Sequence, residues 1–232
     1  MISSYVTTLQ SLFEAQNKKG LLSDTNEQQK LLSVSQPQTP GHTFLLKAME
    51  EVDGVVQVFH SSGWPQENIV WLHGLEATVN AVSNALDLCS WVHFACHGFQ
   101  DPILGMKSAF ALSDGYLELK EIASKRLSTG QFAFLSACHT ASGLSDLPGE
   151  AMHLAAGFQF AGFPSVIATM WTICDEDAPE VAKHTYQYLF RNGLQGLNPS
   201  EAATALNRAV LHLRKNPKIT VDQWAPFIHL GI

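Results

Sequence analysis

Apolar residues in this chain cluster in two ways: in short continuous runs, and in longer stretches where they recur every three or four positions. The first pattern predicts strands and the second amphipathic helices. The run at 30–35 (KLLSVS) predicts a strand ended by Pro37 and Pro40. Leu45, Met49, Val52, Val56 and Phe59 then follow at helical spacing, which places them on one face of a helix. A strand is predicted at 68–72 (NIVWL), and Thr78 is placed to cap a helix whose Val79, Val82 and Leu86 share a face. The run at 91–96 (WVHFAC) is apolar at both parities, as a strand covered on both faces should be.

Further along, 109–113 and 116–119 flank Asp114-Gly115, a dipeptide that favours a two-residue hairpin turn. Strands are predicted at 131–137 (QFAFLSA) and 165–171, and helices at 177–191 and from the capping-box-like Asn198-Pro199-Ser200-Glu201 to Lys215. The stretch 151–173 carries no charged residue and is long enough to cross a bilayer. Gly162, Phe163 and Pro164 break it, so a small-residue helix at 151–161 followed by a buried strand is the simpler reading. Strands alternating with helices imply right-handed crossovers and a mainly parallel sheet with helices on both faces, within one α/β domain.

Composition narrows the class. Of 232 residues, 46% are hydrophobic and only 15% charged, too apolar a balance for a disordered chain. Fourteen basic against 21 acidic residues give a net charge of −7, and no basic run concentrates positive charge, so nucleic acid is not expected as a partner. Four cysteines without a CxxC pair, and no N-x-[ST] sequon, fit a reducing cytoplasm. The first ten residues lack the basic and apolar regions of a signal peptide, and no membrane partner is expected.

In a parallel sheet, reactive groups collect beyond the carboxyl ends of the strands. His97 and Gly98 follow one central strand, and Cys138, His139 and Thr140 end another. A thiol attacks as thiolate, so an imidazole such as His97 is needed to activate Cys138 and to protonate a leaving amine. The backbone N–H groups of Gly98 and Cys138 could meet the oxyanion. By pattern alone, an inert packing cysteine and a merely hydrogen-bonded histidine stay ahead of this reading. A zinc site among His93, Cys96, His97, Cys138, His139 and Cys174 conflicts with the spacing, because no pair is separated as a turn presenting two ligands requires. No metal and no cofactor are expected. There is no G-x-S-x-G, Walker A, G-x-G-x-x-G or H-E-x-x-H motif.

Four blocks, WVHFACHG (91–98), FAFLSACHTASG (132–143), GFPSVIATMWTICDEDA (162–178) and DQWAPFIHLG (222–231), resemble the CHAT peptidase domain, a relative of caspases and separase. The resemblance implies a caspase-like three-layer sandwich and a cysteine endopeptidase of protein substrates with His97 and Cys138 as its dyad. His139 is expected to be structural, because its side chain should project to the face opposite Cys138 if the strand continues. The resemblance also implies an N-terminal connector at 1–29, the peptidase domain at 30–232, and an upstream tetratricopeptide-repeat region in a longer chain as controlling partner. No such repeat occurs here, so the chain is expected to be a fragment.

In caspase-like folds the loop after the strand beyond the nucleophile lines a substrate pocket. That loop is 171–177 here, which makes Trp171 and Asp175 candidate substrate-binding residues, with Asp175 or Asp177 receiving a basic side chain. An ordinary helix-start role competes for both aspartates. The caspase signature Q-A-C-x-G is absent, so cleavage after aspartate is not implied. The loops 99–108 and 142–149 are expected to flank the cleft. Two other readings stay open: a catalytically silent CHAT-like interaction module, and a small-molecule hydrolase using the same Cys and His.

Overall fold

A computed structural model describes residues 2–10, 12–13, 16–17, 29–99, 101, 104–139 and 151–232, with 138, 139 and 151–153 described by backbone alone. Among them, eight strands form one sheet: β1 (Leu31–Ser35), β2 (Ile69–His73), β3 (Trp91–Phe99), β4 (Ala109–Ala111), β5 (Tyr116–Glu118), β6 (Phe132–His139), β7 (Ser165–Thr169) and β8 (Phe227–Gly231). The main order is β2-β1-β3-β6-β7-β8, and β4 and β5 branch from β3 as a hairpin. Pairing is parallel from β2 through β7, while β8 and the hairpin run antiparallel.

Beside five short 3-10 helices among the described residues, the bounded α-helices are α1 (Ala48–Ser61), α2 (Val79–Leu86), α3 (Leu119–Ser124), α4 (Ala151–Ala161), α5 (Ala178–Leu189), α6 (Ala202–Leu213) and α7 (Val221–Trp224). Strand parity sorts the core into two layers. Val92, Phe94 and Cys96 of β3 pack with α2, α3 and α4 through Leu86, Ile122 and Phe158. Trp91 of β3 and Phe132 and Phe134 of β6 pack on the opposite face with α1, α5 and α6 through Phe59, Tyr186 and Leu206. The architecture is a three-layer α/β sandwich.

Four sequence expectations change in detail. The hairpin pairs Ala111 with Tyr116, so its loop is four residues long rather than two. Asp114 does not shape a tight turn there: its Oδ1 accepts the backbone N–H of Val79 at 2.8 Å, satisfying an orphan donor at the start of α2. On α1 the buried face includes Ala48, Glu51, Val55 and Val58 beside Val52, Val56 and Phe59, while Met49 is exposed. β3 continues to Phe99 because β4 pairs with its last three residues. β8, which the hydrophobic pattern does not predict, closes the edge beside β7 and ends at Gly231, where φ is +113° and a β-carbon would collide with the Pro164 carbonyl.

Thr78 caps α2 as predicted, its Oγ1 accepting from the Ala81 N–H at 3.2 Å. The uncharged stretch divides into α4 and β7, and no described helix is long and apolar enough to cross a membrane. Near the N-terminus, Tyr5 pairs in parallel with Leu230: its N–H donates to the His229 carbonyl at 2.9 Å, and its carbonyl accepts from Gly231 at 2.8 Å.

Candidate active site

β3 and β6 lie side by side in parallel register, and the pairs along the α1 and α5 face are His93 with Phe134, Ala95 with Ser136, and His97 with Cys138. The two residues singled out from sequence are therefore direct neighbours at the carboxyl ends of the two central strands. The backbone fixes Cys138 at this register position; its side chain and that of His139 lie outside the described residues, as does the loop 142–149.

His97 is 1% exposed. Its Nε2 lies 2.7 Å from the carbonyl oxygen of Thr43, in the segment between β1 and α1. A carbonyl only accepts, so Nε2 carries the proton and the lone pair belongs to Nδ1. That Nδ1 is buried with no hydrogen-bond partner among the described residues. The His42 ring stacks on His97 with centroids 4.8 Å apart, and His42 Nε2 lies 3.1 Å from the Tyr116 hydroxyl on β5. Burial pushes the His97 imidazole below its ordinary pKa; the Thr43 carbonyl opposes this shift, His42 adds to it, and Asp175 opposes it. The result is a neutral, oriented imidazole with one nitrogen unpartnered among the described residues.

His97 lines a cavity of about 220 Å³ together with Thr43, Glu51, Ser136, Ile173 and Asp175. Glu51, on the first turn of α1, is 3% exposed, and its Oε2 accepts from Ser136 Oγ at 3.0 Å. Its Oε1 is 3.1 Å from His93 Nε2, close enough for an ion pair but not aligned for a hydrogen bond. His93 Nδ1 in turn lies 3.3 Å from the Tyr186 hydroxyl. Buried polar groups thus underlie His97 deeper in the sheet: the hydrogen-bonded Glu51 and Ser136, with His93 and Tyr186 beyond them.

The loop after β7 contributes unevenly. Asp175 lines the cavity, and its Oδ2 accepts the backbone N–H of Lys47 at 3.0 Å, so it caps the start of α1 rather than its own helix. Asp177 is buried and accepts from Gln223 Nε2 at 2.7 Å, which ties the start of α5 to α7. Trp171 stands outside the cavity lining, with its indole N–H donating to the Asp222 carbonyl at 3.2 Å. Gly98 pairs with both Phe110 and His139 and points to the other face, where a β-carbon would press on the Ala137 carbonyl at 3.2 Å. Close packing is therefore a sufficient reason for that glycine.

The other cysteines differ from one another. Burial pushes the Cys89 thiol up to about 12 and leaves it inert, Cys96 is buried on the α2 to α4 side, and Cys174 is exposed. Sequence reasoning missed Thr43, His42, Glu51 and Ser136. Thr43 acts through its main chain and leaves no side-chain signal, whereas Glu51 leaves one: a carboxylate within an otherwise apolar helix face.

A family model described as CHAT domain matches residues 3–232 of the chain. No curated protein matches it. Among solved structures, the Arg specific cysteine proteinase gingipain R aligns with a TM-score of 0.61 at 13% identity, covering 97% of this chain and 52% of that one. A complex of the pro- and mature domains of Porphyromonas gingivalis RgpB aligns with a TM-score of 0.53 at 12% identity, covering 87% and 47%. The chain spans about half the length of these structures, and at such identity the likeness is one of fold.

Proposed function

Because the chain belongs to the CHAT domain family, we propose that it is a cysteine endopeptidase in which Cys138 is the nucleophile and His97 the general base and acid. What supports this reading is the His97 ring, on the residue paired in register with Cys138: Nε2 is committed to the Thr43 carbonyl, and Nδ1 has no hydrogen-bond partner among the described residues. The Cys138 thiol gives its proton to Nδ1, and the sulfur attacks the scissile carbonyl carbon. The resulting oxyanion is met by the backbone amides of Gly98 and Cys138. His97 then protonates the departing amine, and water hydrolyses the thioester by the same proton route.

The substrate is a protein or peptide carrying a basic side chain before the cut, because Asp175 and Glu51 both line the cavity beside His97. Arginine specificity in the neighbouring gingipain supports the same choice here. Trp171 belongs to the outer rim of this substrate site, and an upstream repeat region or other partner controls access to it.

A peptide library digested with the parent protein, Cys138→Ala and His97→Ala tests the proposal. Cleavage should follow Arg or Lys and vanish in both variants; full activity in Cys138→Ala would end the mechanism. In a Cys174→Ser background, which removes the exposed thiol, an electrophilic peptide probe should label Cys138 and lose most of that labelling without His97. Absence of both cleavage and labelling would favour the silent interaction module. Asp175→Asn should reduce the preference for basic over neutral side chains about tenfold or more, as expected for losing a charge-assisted contact.

A further inference from the structure

Far from the His97 cavity, α5 and α6 pack with three ligand-type side chains turned toward one another. Glu180 and His184 stand one turn apart on α5, and His212 stands in the last turn of α6. One donor atom from each lies within 4.8 Å of the other two. Glu180 Oε2 is 3.1 Å from His184 Nε2, and the rings of His184 and His212 have centroids only 3.8 Å apart.

We infer that Glu180, His184 and His212 form a binding site for a divalent transition-metal ion of the zinc class that bridges α5 and α6. Two imidazoles and one carboxylate are a donor set that zinc takes with three protein ligands and one open position. Around a tetrahedral ion with bonds of about 2.0–2.1 Å, donors sit roughly 3.3 Å apart. The Glu180 and His184 pair is already at that separation, and its side chains are 54% and 28% exposed, free enough to close the remaining distance to His212 by rotamer adjustment. On binding, His184 Nε2 gives its lone pair to the metal and the ring's single proton sits on Nδ1.

The fourth position opens into a groove of about 350 Å³ between the two helices, with Arg208 and Lys215 on its walls. Those cations lower the affinity for a bare metal and favour an anionic fourth ligand such as chloride or a carboxylate. The bridge would join the start of α5 to the end of α6. Ala178, the first residue of α5, lines the His97 cavity, so the ion would hold one wall of that cavity in place.

Zinc alone is the probe, titrated against a chromophoric chelator in the full chain carrying Cys138→Ala and Cys174→Ser, so that neither the candidate nucleophile nor the exposed thiol can ligate. One ion should bind per chain, and His184→Ala and His212→Ala should each weaken it by about tenfold or more. Cobalt substituted for zinc should show visible ligand-field bands. Zinc should raise the melting temperature of this parent and leave that of His212→Ala unchanged, which separates lost ligation from lost folding. Uptake undiminished in both histidine variants, no uptake at micromolar zinc, or a thiolate-to-cobalt charge-transfer band would each overturn the assignment.

Discussion

His97 and His229 invite comparison, since both are strand residues about 1% exposed whose imidazoles burial holds neutral. His229 on β8 uses both nitrogens: Nδ1 lies 2.7 Å from Ser4 Oγ and Nε2 lies 2.9 Å from Ser165 Oγ. His97 on β3 spends Nε2 on the Thr43 carbonyl, its Nδ1 has no partner among the described residues, and it lines a cavity. Burial alone does not separate a structural histidine from one placed to move a proton. The number of nitrogens left without a partner among the described residues does.

The comparison breaks most visibly in paired variants. His97→Ala should lower kcat/KM on a cleavable peptide by about a thousandfold, within the usual range for a positioned acid and base, with little change in melting temperature. His229→Ala should do the reverse, melting earlier while the folded fraction cleaves normally. Parallel losses of both properties in both variants would show that the two sites are one structural unit.

A smaller effect concerns acid. Burial moves His229 from 6.5 to about 4, so the folded state binds fewer protons than the unfolded state between those values. The stability it contributes is therefore complete above about pH 6.5 and is lost as pH falls through 4, amounting to about 3 kcal/mol. Denaturant melts at pH 7 and pH 4 should show this difference in the parent and much less of it in His229→Gln. Smallest of all, His42→Ala removes a neighbour that lowers the His97 pKa, so the acid limb of the activity profile should move to higher pH. A shift to lower pH would mean that the stacked ring supports His97 in some other way.

Much of this molecule was legible because its central strands are buried on both faces. β3, β6 and β7 read as largely apolar runs, and the alternation with helices implies a parallel sheet. Neighbouring strand ends then bring His97 and Cys138 together. What stayed hidden has physical causes. Thr43 contributes a carbonyl, which any residue type possesses, and Asp175 caps a helix 128 positions away in sequence. Trp171 and Asp175 share a loop yet differ in place, because the chain turns between them and only Asp175 meets the cavity. Glu180 and His184 have a visible one-turn spacing, but His212 reaches them only through the packing of α5 on α6.

The strand bridge at Tyr5 has a mechanical meaning. Tyr5 and Leu230 run in the same direction, and two backbone hydrogen bonds plus the Ser4 hydroxyl on the Gly231 carbonyl join them. Tension applied between the first and last residues pulls these two segments past each other along their length. The pair is then loaded in shear, with its bonds sharing the force together instead of peeling one by one, and the central strands that hold His97 and Cys138 lie outside that line of force.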